Sequence, residues 1–169
     1  MPFPDTCLNR LACFPRCVDA LLVGLCDDDL RWKPADGSWS ILEILCHLAD
    51  EEVFDFRARL TRTLAGEDWD PIDPEGWAIE RRYNEQAPAE AMARFEVERE
   101  KSIAWLHSLR EPDWDSLHEH PRLGGIAAGD LMASWLAHDA LHLRQMAKRL
   151  YQMAERDGQP FATRYAGGW

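Results

Sequence analysis

The chain has 169 residues, 46% of them apolar and 29% charged, with 30 Asp and Glu against 19 Lys and Arg and a formal net charge of −11. That size suits one domain with a core of several packed helices. The acidic balance argues against a nucleic-acid partner, which needs a basic face, and no run of about 18 apolar residues is present to span a membrane.

The opening MPFPDTCLNR lacks the basic-then-apolar pattern of a signal peptide, so a cytoplasmic location is expected. Hydrophobic periodicity predicts four long helices and no strand-like alternation of six residues or more, hence an all-α fold. The first helix is expected from Thr6 to Cys26, with Leu8, Leu11, Phe14, Val18, Leu21, Leu22 and Leu25 at helical spacings and a bend at Pro15. The five cysteines, Cys7, Cys13, Cys17, Cys26 and Cys46, lack the paired spacing of a zinc ribbon or a secreted disulfide framework and read as reduced thiols. Cys13 and Cys17, one turn apart, are a weaker alternative metal pair.

The second helix has a capping-box start, Ser40 followed three residues later by Glu43, and should run to about Leu64. Its apolar stripe is Ile41, Leu45, Leu48, Ala49, Phe56 and Leu60, while His47 lies on a flank shared with Glu51, Phe54 and Ala58. EDWDPIDPEGWAIERRYNE, residues 67–85, has no helical period and is expected to be a long crossover loop. Its Trp69, Trp77 and Tyr83 are candidates to wall a binding pocket, or simply pack the loop onto the bundle.

The third helix is expected from Pro88 to Leu109, with Met92, Phe95, Ile103, Leu106 and Leu109 on one face. Arg99 interrupts that face. A guanidinium there could meet a substrate carboxylate or pair with a neighbouring acid such as Glu51. In HEHPRLGG, residues 118–125, His118 and His120 have a surface or loop-capping role as their usual explanation, with either His118 or His120 also a candidate to line a site. The fourth helix, Ala128 to Glu155, places Leu131, Trp135, Met146, Leu150 and Met153 in a stripe with His138 and His142 within or beside it. Residues 1–157 therefore read as one domain and 158–169 as a tail, whose Phe161, Tyr165 and Trp169 could dock on the body or on a partner chain.

The chemistry rests on HDALH, residues 138–142, because residues four apart on a helix point the same way at a separation one metal ion can bridge. Such a pair also arises by chance, so it needs a third ligand, for which His47 is the best placed. Glu51, one turn after His47, could orient that imidazole or accept a proton, or be an ordinary salt-bridged glutamate. Asp139 gives HDALH a superficial likeness to H-E-x-x-H, but Asp is one methylene too short and the accompanying sheet is missing, so a zincin protease is rejected.

WSILEILCHLADEE, residues 39–52, together with HPRLGGIAAGDLMASWLAHDALHLRQM, residues 120–146, resembles the DinB-like superfamily. Trp39, Ser40, His47, His138, His142, Arg144 and Gln145 match that family's pattern in order. The resemblance implies a four-helix bundle with a long crossover between the second and third helices, and a three-histidine site for zinc, nickel or a similar divalent ion. It also implies activity as a metal-dependent thiol transferase or hydrolase acting with a low-molecular-weight thiol on a small electrophilic substrate, and often a homodimer. One departure is GGIAAGD, residues 124–130, where relatives often carry a threonine and Ala127 or Ala128 leaves a weaker cap. The competing expectation is a non-catalytic metal-binding module, structural or stress-related. Three histidines with no obvious fourth protein ligand favour an open site.

Overall fold

The computed structural model describes residues 3–169. Helix α1 spans Asp5–Leu22 and continues through the buried Pro15. It stops short of the expected Cys26 because Val23 leaves helical geometry and Gly24 turns the chain at φ +90°. Cys26 instead opens a short α2, Asp27–Arg31, where its backbone N–H and its thiol both donate to Asp29 Oδ2, at 3.3 and 3.2 Å. Asp27, Asp28 and Asp29 lie in the first turn of α2, where carboxylates stabilise the positive end of a helix.

The second long rod is α3, Ile41–Glu51, continuous with a π-helical turn over Glu52–Phe56 and with α4, Arg57–Ala65. Its capping box forms as expected: Glu43 N–H donates to Ser40 Oγ at 3.1 Å and Ser40 N–H to Glu43 Oε2 at 2.8 Å. All eleven residues of α3 are buried, so the single apolar stripe expected for it is really a helix enclosed on every side.

The crossover is not structureless. Asp73 accepts the Gly76 N–H at 3.0 Å and Pro74 holds the first helical position, which starts α5, Pro74–Glu80, followed by a 3₁₀ turn at Tyr83–Glu85. Tyr83, Arg81 and Arg94 all donate to the fully buried carboxylate of Asp50, tying this segment and α6, Pro88–Ser108, to α3. A two-stranded antiparallel hairpin, β1 (Leu117–His120) and β2 (Gly124–Ala127), leads into α7, Ala128–Asp157. Strands of four residues are too short for the period sought in the sequence. Ala127 caps α7 with no side-chain acceptor of its own, and Asp130 compensates by accepting the Ala127 N–H at 3.0 Å.

The rods α1, α3–π–α4, α6 and α7 make a four-helix bundle whose apolar interior falls into two clusters. One gathers Phe14, Val18, Leu45, Phe95 and Met146, and the other Leu11, Phe56, Leu60, Met132 and Trp135. Arg99 of α6, 1% exposed, lies between them. Its guanidinium makes a bidentate pair with Asp139 at 2.7 and 2.8 Å, reaches Glu52 Oε1 from Nε at 2.9 Å, and donates to the Leu11 carbonyl at 3.0 Å. Trp135 Nε1–H donates to the same Glu52 oxygen at 2.8 Å. One side chain therefore links α1, the π turn, α6 and α7. Among the described residues no helix is long and apolar enough to cross a membrane.

Arg99→Ala would leave Glu52 and Asp139 buried without a counter-charge, and removing one partner of such a set costs about 3–5 kcal/mol. Urea unfolding should show that loss. Arg99→Lys should recover only part of it, since an ammonium cannot reproduce the fork. A loss within experimental error of zero for the alanine variant would contradict this account of the layer.

Candidate metal centre

His47 sits midway along α3, and His138 and His142 one turn apart on α7. Their three Nε2 atoms converge: His138 to His142 at 2.9 Å, His47 to His142 at 3.1 Å and His47 to His138 at 3.3 Å. Three neutral imidazoles cannot all satisfy one another by hydrogen bonds at a single point, because each ring carries one N–H. Nitrogens so spaced would subtend about 90–107° at an ion about 2.05 Å from each, between octahedral and tetrahedral values. The residues fit a divalent ion.

The outer nitrogens support that reading. His142 Nδ1–H donates to Gln145 Oε1 at 2.7 Å, which leaves its Nε2 with a free lone pair. His47 Nδ1 and Glu51 Oε1 have no hydrogen-bond partner and face each other at 3.6 Å, while Glu51 Oε2 lies 3.9 Å from His138 Nε2. Trp39 packs its ring 4.9 Å from His47, and Phe56 packs 5.0 Å from His138.

Burial sets the protonation of this cluster. It lowers His47 to about 3, helped by the charge of His142, and His138 to about 2, helped by both other imidazoles; His142 falls to about 4, with its bond to Gln145 opposing the shift. Glu51 is pushed up to about 9 by burial, then by a shared hydrogen bond with Asp55 and the Asp55 charge. Asp139 rises to about 6 through burial, with Arg99 holding it down.

His47 and His142 open onto a groove of about 910 Å³. Its walls include Trp39, Ala78 and Ile79 of α5, and Trp169 of the tail. The aromatic residues expected to wall it lie elsewhere. Trp69 stacks on His118 with centroids 3.9 Å apart and donates to Thr63 Oγ1 at 3.0 Å. Trp77 lies 5.4 Å from the Phe54 ring, with the Arg81 guanidinium 4.5 Å over it, and Tyr83 is buried on Asp50. His120 caps its own hairpin turn, its Nδ1 accepting from the Arg122 and Leu123 N–H groups at 3.2 Å each.

Arg99 also departs from expectation. Its partners are Glu52 and Asp139 rather than Glu51, and with its donors so committed in the interior it is not available to a substrate carboxylate. Arg99 on α6 and Asp139 on α7 are each a charged residue within an apolar stripe, which is the sequence signal for their pairing; Glu52, on the π turn, has no such signal. Trp169 reaching the groove has no signal in the sequence beyond its aromaticity.

A family model described as the DinB superfamily matches residues 15–146. Among solved structures the chain is similar to YfiT from Bacillus subtilis, described as "a probable metal-dependent hydrolase with an unusual four-helix bundle topology", at a TM-score of 0.77 and 19% identity, covering 89% of this chain and 87% of that one. At that identity the likeness speaks to the fold. No curated protein sequence matches the chain.

With divalent ions removed, stability should depend on pH in a definite way. The three histidines fall below their ordinary 6.5, so the stability they contribute is complete above pH 6.5 and lost as pH falls toward 4 and lower. Asp139 and Glu51 rise from 3.8 and 4.5, so their contributions are complete in acid and lost as pH climbs through about 6 and about 9. Three losses outweigh two gains on the acid side, and only Glu51 acts on the other. The melting temperature of chelator-treated protein should peak near pH 6.5 and fall more steeply in acid. A profile flat from pH 5 to 9 would refute the neutral, buried state of these imidazoles.

Proposed function

The chain belongs to the DinB superfamily, and from that premise we propose that it is a hydrolase or thiol transferase dependent on one divalent metal ion, zinc or nickel, held by His47, His138 and His142. The observation that carries this reading is the convergence of three Nε2 atoms within 3.3 Å beside a groove large enough for a small molecule. A divalent ion in such a site supplies Lewis acidity, lowering the pKa of a thiol or water and polarising an electrophile.

The chain's own residues supply the rest. Gln145 fixes the His142 tautomer, and Trp39 and Phe56 exclude water from two sides of the imidazoles. Glu51 faces the cluster, its Oε2 3.9 Å from His138 Nε2; burial keeps its carboxyl protonated, so it could take up a proton from a nucleophile only once an ion beside it had favoured loss of its own. The cosubstrate fitting this reading is a low-molecular-weight thiol, and the substrate a small electrophile. A structural role for the ion is the second reading. Against it stands the donor set: among the described residues the cluster holds three donors, where a closed structural site uses four.

Elemental analysis of purified protein should find one ion per chain, absent from His47→Ala and His142→Ala. Gln145→Ala should retain a site weakened by about 10–100-fold. In cobalt-loaded protein, 2-mercaptoethanol should shift the visible spectrum. An ion held as tightly but unmoved by thiol would favour the structural reading, and no stoichiometric ion after loading would end the metal reading.

A further inference from the structure

The groove beside His47 and His142 holds four cations on a chain of net charge −11. Two are committed: Lys33 pairs with Glu43 at 2.7 Å, and Arg149 donates to the Trp39 carbonyl at 2.7 Å and to Gln152. The other two, Arg144 and Lys148, line the groove with no acid within 4.0 Å among the described residues. They are one turn apart on α7, the arrangement in which two long cationic side chains meet a single anion.

Their placement relative to the imidazoles follows from the helix. Counting about 100° per residue from His142, Gln145, Lys148 and Arg144 lie at about −60°, −120° and −160°, a sweep round one flank from the site outward. Along the axis Arg144 is about 3 Å and Lys148 about 9 Å beyond His142. An anion between them lies one small molecule's length from the histidines, with Trp39 and Ile79 available to an apolar body.

We propose that Arg144 and Lys148 form an anion subsite, so that the molecule processed at the histidine centre carries a carboxylate or phosphate at the end away from its reacting group. The inference rests on the proposed function for the second half of that statement; the anion subsite itself is independent of any ion at the histidines. Guanidinium and ammonium together suit an oxyanion with two or three acceptor oxygens. Three acids also line the groove: Glu43, which is paired with Lys33, and Asp36 and Glu75. The Asp36 carboxylate accepts from Ser38 N–H at 2.9 Å and feels Arg149 and Lys148 at longer range, so it competes with an incoming anion for the Lys148 charge.

The test is isothermal titration of the metal-stripped protein with succinate and with inorganic phosphate at neutral pH and low ionic strength, beside the double variant Arg144→Gln/Lys148→Gln and the single variant Asp36→Asn. At least one anion should bind, roughly tenfold more weakly to the double variant and more tightly to Asp36→Asn, with binding weakened by salt. The tighter of the two anions names the headgroup. Circular dichroism of the variants guards against misfolding, which is not expected at an exposed and a half-buried position. Absence of binding by either anion, or equal binding by wild type and double variant, would overturn the subsite. Metal loading is measured separately, so its failure would remove the proposed function while leaving the anion result intact.

Discussion

The bundle turns on a single guanidinium. Arg99 lies between two apolar clusters, within 5.7 Å of the Phe14 ring and 5.8 Å of the Trp135 ring, where an unpaired charge would not be tolerated. Its acceptors come from three other rods, so the desolvation penalty is offset only when α1, the π turn and α7 are all in register with α6. An apolar layer of equal volume could be as stable. It would not fix that register, and register is what the site needs, since Glu52 adjoins Glu51 and Asp139 adjoins His138 in the chain.

The three consecutive acids of α3 and its π turn divide the work by geometry. Successive helical residues point about 100° apart, so Asp50, Glu51 and Glu52 address three different neighbours: the crossover and α6 through Arg81, Tyr83 and Arg94, the imidazoles, and Arg99. The π turn follows at once. Leu48, Glu52, Phe56 and Leu60 are spaced by four, and each such step drifts about 40° round an ordinary α-helix. The wider turn absorbs that drift, which keeps Phe56 and Leu60 in the core after Glu52 has met Arg99.

The sequence made the rods legible because their stripes are long and their starts chemically marked: Ser40 with Glu43, and Pro88. The same signals, Asp73 and Pro74, stood before α5 and were outweighed by the Pro and Asp content around them. The β hairpin has no signature of this kind because strands of four residues give no usable period. At the site, the i,i+4 spacing of His138 and His142 carried real geometric information, whereas nothing local paired them with His47 except its flank on α3 and the family pattern. Partners across helices were less readable: Arg99 could be seen to need an acid, but choosing Glu52 over Glu51 requires the phase of the π turn. Trp69, Trp77 and Tyr83 stand out in the sequence as aromatics in a loop, a feature that specifies burial without specifying against what.

The electrostatics of the centre give its openness a direction. On the inner side, Arg99 is paired with Glu52 and Asp139, although its charge still adds to the lowering of the His138 pKa. Three neutral imidazoles add none to cancel an ion's charge, and Glu51, at 3.6 Å from His47 and 3.9 Å from His138, is the nearby group able to do so by losing its proton. An ion held by the three imidazoles would leave positive charge facing the groove, where Arg144 and Lys148 carry the same sign further along α7. Under the proposed reading an anion entering there would be drawn toward the centre by charges of one sign, partly opposed by Asp36, Glu43 and Glu75 on the groove walls. On a chain of net charge −11, which disfavours anions at long range, those cations would concentrate anion binding at one small opening.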